Sequence, residues 1–140
     1  MPMTSHELKI VRRAYAKQIT AAVRVTDKSV ENAFAEVPRE DFLGPGPWPI
    51  FRWRRTYVAT PTADPVYLYT DDLVGIIPKR HINGQPSLHA FLLAAAAPLA
   101  GDHIVHVGAG VGYYSAMMAH LVEESGNSVR FNDASDATFD

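Results

Sequence analysis

The run His103-Ile104-Val105-His106-Val107-Gly108-Ala109-Gly110-Val111-Gly112-Tyr113 decides how this chain of 140 residues is read. Ile104, Val105 and Val107 form an apolar stretch suited to a strand buried on both faces, entered from the turn Leu99-Ala100-Gly101-Asp102. Three glycines at alternate positions follow. In a strand-turn-helix unit such glycines serve the tight turn, the close approach of backbone to a nucleotide-type ligand, and the packing of helix on strand. The spacing by itself also fits an ordinary loop, so the flanks must decide. Downstream, Tyr114, Met117, Met118, Leu121 and Val122 recur at helical spacing, and Glu123-Glu124-Ser125-Gly126 closes that helix. Ser128-Val129-Arg130-Phe131-Asn132-Asp133 then predicts a second short strand with an acid at its end. Asp133 stands 23 positions after Gly110, and a carboxylate about 20 residues on is placed to meet a ribose hydroxyl in such units. A solvated acid near a chain end is the other reading of Asp133.

Composition narrows the function classes. The 47% hydrophobic content is that of a globular chain with room for one domain, or one domain and an appendage. Residues 1–55 hold ten Lys and Arg against six acids, and residues 56–140 three against nine, for a net charge of −2. That excess of base is too small and too spread out to argue for nucleic acid. Lys9, Arg12, Arg13 and Lys17 read as a solvated helical face, and Arg52, Arg54 and Arg55 around Trp53 as a loop gripping its own domain. With no cysteine there is no disulfide framework, thiolate metal site or cysteine nucleophile. The six histidines form no spaced set with carboxylates, so no metal is expected. Neither a signal-peptide pattern nor a membrane-length apolar run is visible, and a soluble cytoplasmic protein is the expectation.

Upstream, Leu8, Val11, Ala14, Tyr15, Ile19 and Ala22 line one face of a helix over 8–23. Thr26 or Asp27 caps a second helix through Val30, Ala33 and Phe34, which ends at Val37-Pro38. Gly44-Pro45-Gly46-Pro47-Trp48-Pro49 permits neither helix nor central strand. Residues 51–76 carry β-favouring side chains interrupted by Pro61, Pro65 and Pro78, which predicts extended structure and short edge strands. Asn83 or Ser87 is expected to cap the alanine- and leucine-rich helix that follows Pro86.

Several of these blocks, taken in order, resemble the protein-L-isoaspartate (D-aspartate) O-methyltransferase family. They are the Arg13–Ile19 helix with Gln18, Val30-Glu31-Asn32-Ala33-Phe34-Ala35-Glu36-Val37-Pro38-Arg39-Glu40-Asp41-Phe42, Tyr69-Thr70-Asp71, Asn83-Gly84-Gln85-Pro86-Ser87, and Val105 to Tyr113. The resemblance implies an α/β fold in which an N-terminal helical cap precedes the start of a Rossmann-like class I methyltransferase sheet, incomplete at the C-terminus. It divides the chain into a cap (1–43), a Pro/Gly-rich extended region (44–80) and a partial S-adenosylmethionine-binding unit (81–140). It implies methyl transfer to the α-carboxyl of isoaspartyl residues in damaged proteins or peptides, with Gly108, Ala109, Gly110 and Gly112 at the S-adenosyl-L-methionine and Asp133 at its ribose. A carboxylate is already ionised at neutral pH, so positioning carries most of the chemistry and no strong base is needed.

Three positions depart from the family pattern. Anchored on Pro86, the family's catalytic serine falls at Gly84, and the hydroxyl at hand is Ser87, which equally reads as a first-turn helix serine. His106 stands where the family has an acid, and serves there only if neutral and suitably oriented. The chain ends at Asp140, before the further strands of a class I sheet, which leaves the Val105 strand with an unpaired apolar edge. The alternative is therefore a non-catalytic remnant or interaction module that self-associates or pairs with another chain. A dehydrogenase-type nucleotide fragment is a third reading, disfavoured by the upstream blocks.

Overall fold

The computed structural model describes residues 1–52, 56–77, 81–123 and 126–131. Helix α1, Ser5–Ala22, starts at a capping box in which Thr4 Oγ1 accepts from Glu7 N–H and Glu7 Oε2 accepts from Thr4 N–H at 2.8 Å. Its buried face is Leu8, Tyr15, Ala16, Ile19 and Thr20. Ala14 and Ala22, expected inside, are exposed. Thr20 turns inward instead because its hydroxyl donates to Ala16 O at 2.9 Å, which removes the cost of burying it. Helix α2, Lys28–Glu36, is capped by Asp27, and it buries Val30, Ala33, Phe34 and Ala35. Val37 leaves the helix in an extended conformation before Pro38, and a 3-10 turn follows at Arg39–Phe42.

The proline-interrupted middle is more ordered than its sequence implies. Strands β1 (Pro49–Arg52), β2 (Thr56–Ala59), β3 (Leu73–Ile77) and β4 (His81–Asn83) form an antiparallel sheet in the order β2-β1-β3-β4. Pro49 begins its strand and Pro61 and Pro65 lie between strands, where a missing N–H breaks no ladder bond. Trp48, Ile50, Leu68 and Val74 make a small core beneath the sheet.

Helix α3, Pro86–Ala96, leads to β5, His103–Val107, then the glycine turn, helix α4, Tyr113–Val122, and β6, Asn127–Phe131. β5 and β6 are parallel and in register from His103↔Asn127 to Val107↔Phe131. The expectation that β5 is buried on both faces does not hold. Ile104 and His106 are half-buried, whereas Val105 and Val107 are 63% and 76% exposed. The reason is the layer order: α3 and α4 pack over one face of β5, and among the described residues nothing covers the other face or pairs with its free edge.

One aromatic core joins the front of the chain to the glycine-turn helix. Tyr15 packs on Phe34 and edge-on to Tyr69, with ring centroids 6.1 and 5.3 Å apart. Phe34 meets Tyr114, and Phe42 meets Tyr113, at 6.4 and 5.9 Å. Each such pair contributes about 0.5–1.5 kcal/mol beyond its buried area. The cap therefore fixes where α4 begins. No described helix is long and apolar enough to cross a membrane.

Candidate functional site

At the glycine turn the backbone takes conformations that side chains resist. Gly108, Gly110 and Gly112 have φ of +70°, +56° and +92°, in the left-handed region that glycine enters without steric cost. At Gly108 and Gly110 a Cβ would meet no atom within 4 Å, so it would project into open space over the turn. Gly112 N–H donates to Ala109 O at 3.1 Å and closes the turn, while Ala109 itself is buried. Gly112 is also the residue before α4, and no side chain caps that helix. The turn thus offers open backbone beside an uncapped helix N-terminus, the combination that receives an anionic or nucleotide-type group. Open backbone at 108 and 110 fits such a cofactor.

His106 is oriented by the same helix. Its Nδ1 lies 2.8 Å from Ser115 Oγ in the first turn of α4. Burial lowers its pKa, so at neutral pH the ring is uncharged and tied to α4. Asp133, the residue assigned to the ribose, lies outside the described residues, as do Trp53, Arg54 and Arg55.

The Asn83–Ser87 turn is held from outside itself. The expected caps of α3 are not used: Gln85 occupies the capping position without a side-chain bond, and Ser87 N–H donates to Asp71 Oδ1 at 2.8 Å. Asp71 Oδ2 also accepts from Gln85 Nε2 at 3.2 Å. The Asn83 side chain points elsewhere and accepts from Arg39 Nε at 2.9 Å. An acid sixteen residues upstream replaces the local cap because Pro86 and Ser87 are themselves buried. Ser87 is therefore a first-turn residue of α3, 7% exposed. Gly84 is crowded: a Cβ there would lie 2.5 Å from Cε1 of His89.

Arg39 is the residue that sequence reasoning passed over. It is fully buried and donates to Asn83 Oδ1, to Leu68 O at 2.8 Å, to Thr70 O at 3.3 Å and to Asp72 O at 3.1 Å, with its guanidinium 5.6 Å from the Tyr113 ring centre. One side chain so links the end of the cap, the 68–72 segment, the turn before α3 and the first residue of α4. Beside it, Tyr69 donates to Glu40 and accepts from Arg12 Nη1 at 3.3 Å, and burial raises the phenol pKa. Arg12 also donates to Ala35 O at 2.6 Å, so it is a half-buried clamp and not part of a solvated face. Arg52 does grip its own domain, pairing with Asp72 at 3.0 Å. The signal for Arg39 and Asp71 was their place in the Val37-Pro38-Arg39 and Tyr69-Thr70-Asp71 blocks, since neither position stands out by periodicity.

A parallel strand pair, a glycine turn with an open backbone and a helix rising from it define an α/β unit of the class I methyltransferase kind. The family model described as protein-L-isoaspartate(D-aspartate) O-methyltransferase matches residues 12–136, and the chain belongs to that family. It is 31% identical over 110 residues to protein-L-isoaspartate O-methyltransferase 2 of Anaeromyxobacter sp. (strain Fw109-5), covering 79% of this chain and 38% of that protein. A solved protein-L-isoaspartate O-methyltransferase shares the fold with a TM-score of 0.64 at 22% identity, over 86% of this chain and 33% of the other. The chain thus spans little more than a third of the length of these relatives.

Proposed function

We propose that this chain is an S-adenosylmethionine-dependent methyltransferase unit of the isoaspartate-repair type, acting on the α-carboxyl of L-isoaspartyl residues in damaged proteins or peptides. The observation that carries the reading is the glycine turn, three left-handed glycines with open space above two of them at the start of α4. Family membership supplies the cofactor class, since members use S-adenosylmethionine. When bound, that group supplies an electrophilic methyl. The chain's own residues would do the rest: Gly108, Ala109, Gly110 and Gly112 present backbone, Asp133 meets the ribose, and His106 sits below the turn as a neutral ring held by Ser115. Residues 1–43 serve as the helical cap, residues 44–80 as the Pro/Gly-rich region between, and residues 81–140 as the unit that holds the cofactor. Ser87 is the proposed hydroxyl at the acceptor side. The proposed setting is the cytoplasm.

The exposure of Val105 and Val107 favours a second element of the proposal, that a second copy of the chain covers this face and the free edge of β5. The first test is calorimetric. The wild-type chain is expected to bind S-adenosylmethionine, and Gly110→Asp, which strains φ and places a negative side chain over the turn, is expected to weaken binding by about tenfold or more. No detectable binding at millimolar cofactor removes the enzymatic reading.

A further inference from the structure

His89, on α3, has a setting that neither the glycine turn nor the capping of α3 requires. Gly84 leaves the volume that its ring fills, because a Cβ at 84 would come within 2.5 Å of Cε1. The ring lies flat on the Tyr114 phenol, with centroids 3.6 Å apart and planes 7° from parallel. Tyr114 is the second residue of α4, and its hydroxyl donates to Gly84 O, so the stack bridges the turn before α3 and the helix after the glycine turn. Nδ1 of His89 is 2.9 Å from Gln85 O. A carbonyl only accepts, so Nδ1 carries the hydrogen. The titrating position is then Nε2, which makes no hydrogen bond among the described residues. Three contacts fix the plane and tautomer of this imidazole, and none uses its second nitrogen. A histidine held in this way by a backbone carbonyl has its other nitrogen set for a ligand.

We propose that His89 Nε2 is the group that receives the acceptor carboxylate, as an imidazolium, so that substrate binding takes up one proton. This rests on the isoaspartate-repair reading above. A carboxylate offers only lone pairs, so a bond to Nε2 needs a hydrogen there. Tyr114 from α4 stacks on the ring, His106 from β5 and Arg39 from the 3-10 turn are the titratable and charged groups that act on it electrostatically, and Asp71 holds Gln85 and Ser87. Burial lowers the pKa of His89, its bond to Gln85 O acts the other way, and the Arg39 charge adds to the lowering. In the free protein at neutral pH the ring is therefore neutral, and the proton comes from solvent together with the carboxylate. Esterification removes the negative charge. The imidazolium then loses its counter-charge and returns the proton to solvent, which favours product release.

The test uses the full chain saturated with S-adenosylhomocysteine, and a short synthetic peptide with one L-isoaspartyl residue. Calorimetry at about pH 7.5 in two buffers of different ionisation enthalpy is expected to give uptake of about one proton per peptide bound. His89→Gln keeps polarity but does not ionise, and it is expected to abolish the uptake and weaken binding about tenfold. In the wild-type chain, peptide is expected to move the midpoint of the His89 Cε1–H resonance upward by about two pH units or more, a readout independent of any variant's folding. Peptide binding without proton uptake and with an unmoved His89 midpoint overturns the proposal, as does wild-type uptake by His89→Gln. Binding of S-adenosylhomocysteine without binding of peptide overturns it too. Failure to bind S-adenosylhomocysteine is the separate result that removes the functional reading beneath it.

Discussion

Arg39 shows how one side chain sets the geometry of a site it does not enter. A buried guanidinium is costly unless its donors are met, and here they are met by Asn83 Oδ1 and three backbone carbonyls rather than by a carboxylate. Removing it leaves four acceptors without this donor in the interior, at about 1–3 kcal/mol for each one that water does not reach. Arg39→Met is therefore expected to destabilise the chain by about 3 kcal/mol or more, read as a loss of urea midpoint at unchanged slope. Arg39→Lys keeps the charge but lacks the planar fork, and its loss should be intermediate. A variant as stable as the wild type would show that the hub is dispensable. Nothing in the local pattern distinguishes this arginine from Arg13 or Arg24, because its partners lie 29 to 44 positions away.

Among the elements, α3 and β5 separate what is local from what is not. The composition of α3 predicts a helix and its start near Pro86, and both are present. Its cap is non-local: Asp71 accepts from Ser87 N–H across sixteen residues. Asp71→Ala is expected to cost about 1 kcal/mol, as lost caps do, and also to free Gln85 from the turn. Hydrogen exchange checks this, with faster exchange at Ser87 N–H and unchanged protection in α1 as the expected pattern. Uniform loss of protection would mean that Asp71 holds the whole fold. For β5, Ile104, Val105 and Val107 were enough to place the strand, and its parallel partner β6 followed from the glycine turn and helix between them. Its burial was not legible, since alternation of exposure depends on which layers are present.

At the scale of the whole molecule, an apolar strand face stands open among the described residues, and the chain matches 33% of the length of the solved relative. Parallel strands are ordinarily covered on both sides, and exposed edges invite pairing. If a second copy covers this face, sedimentation should show concentration-dependent dimers, and the double variant Val105→Glu with Val107→Glu should stay monomeric without loss of helix signal. A wild-type chain that remains monomeric at high concentration would rule that assembly out. The sequence by itself determined the family, the helical cap, the strand-turn-helix unit and the three glycines, because each is written in neighbouring residues: periodicity, caps and left-handed turns act over a few positions. Only the tertiary structure decided that Arg39 and Asp71 build the turn before α3, that His89 fills the space Gly84 leaves, and that one face of β5 is bare. Those facts depend on contacts between distant segments, and a hydrogen bond or a clash across such a separation leaves no mark on the local pattern of either partner.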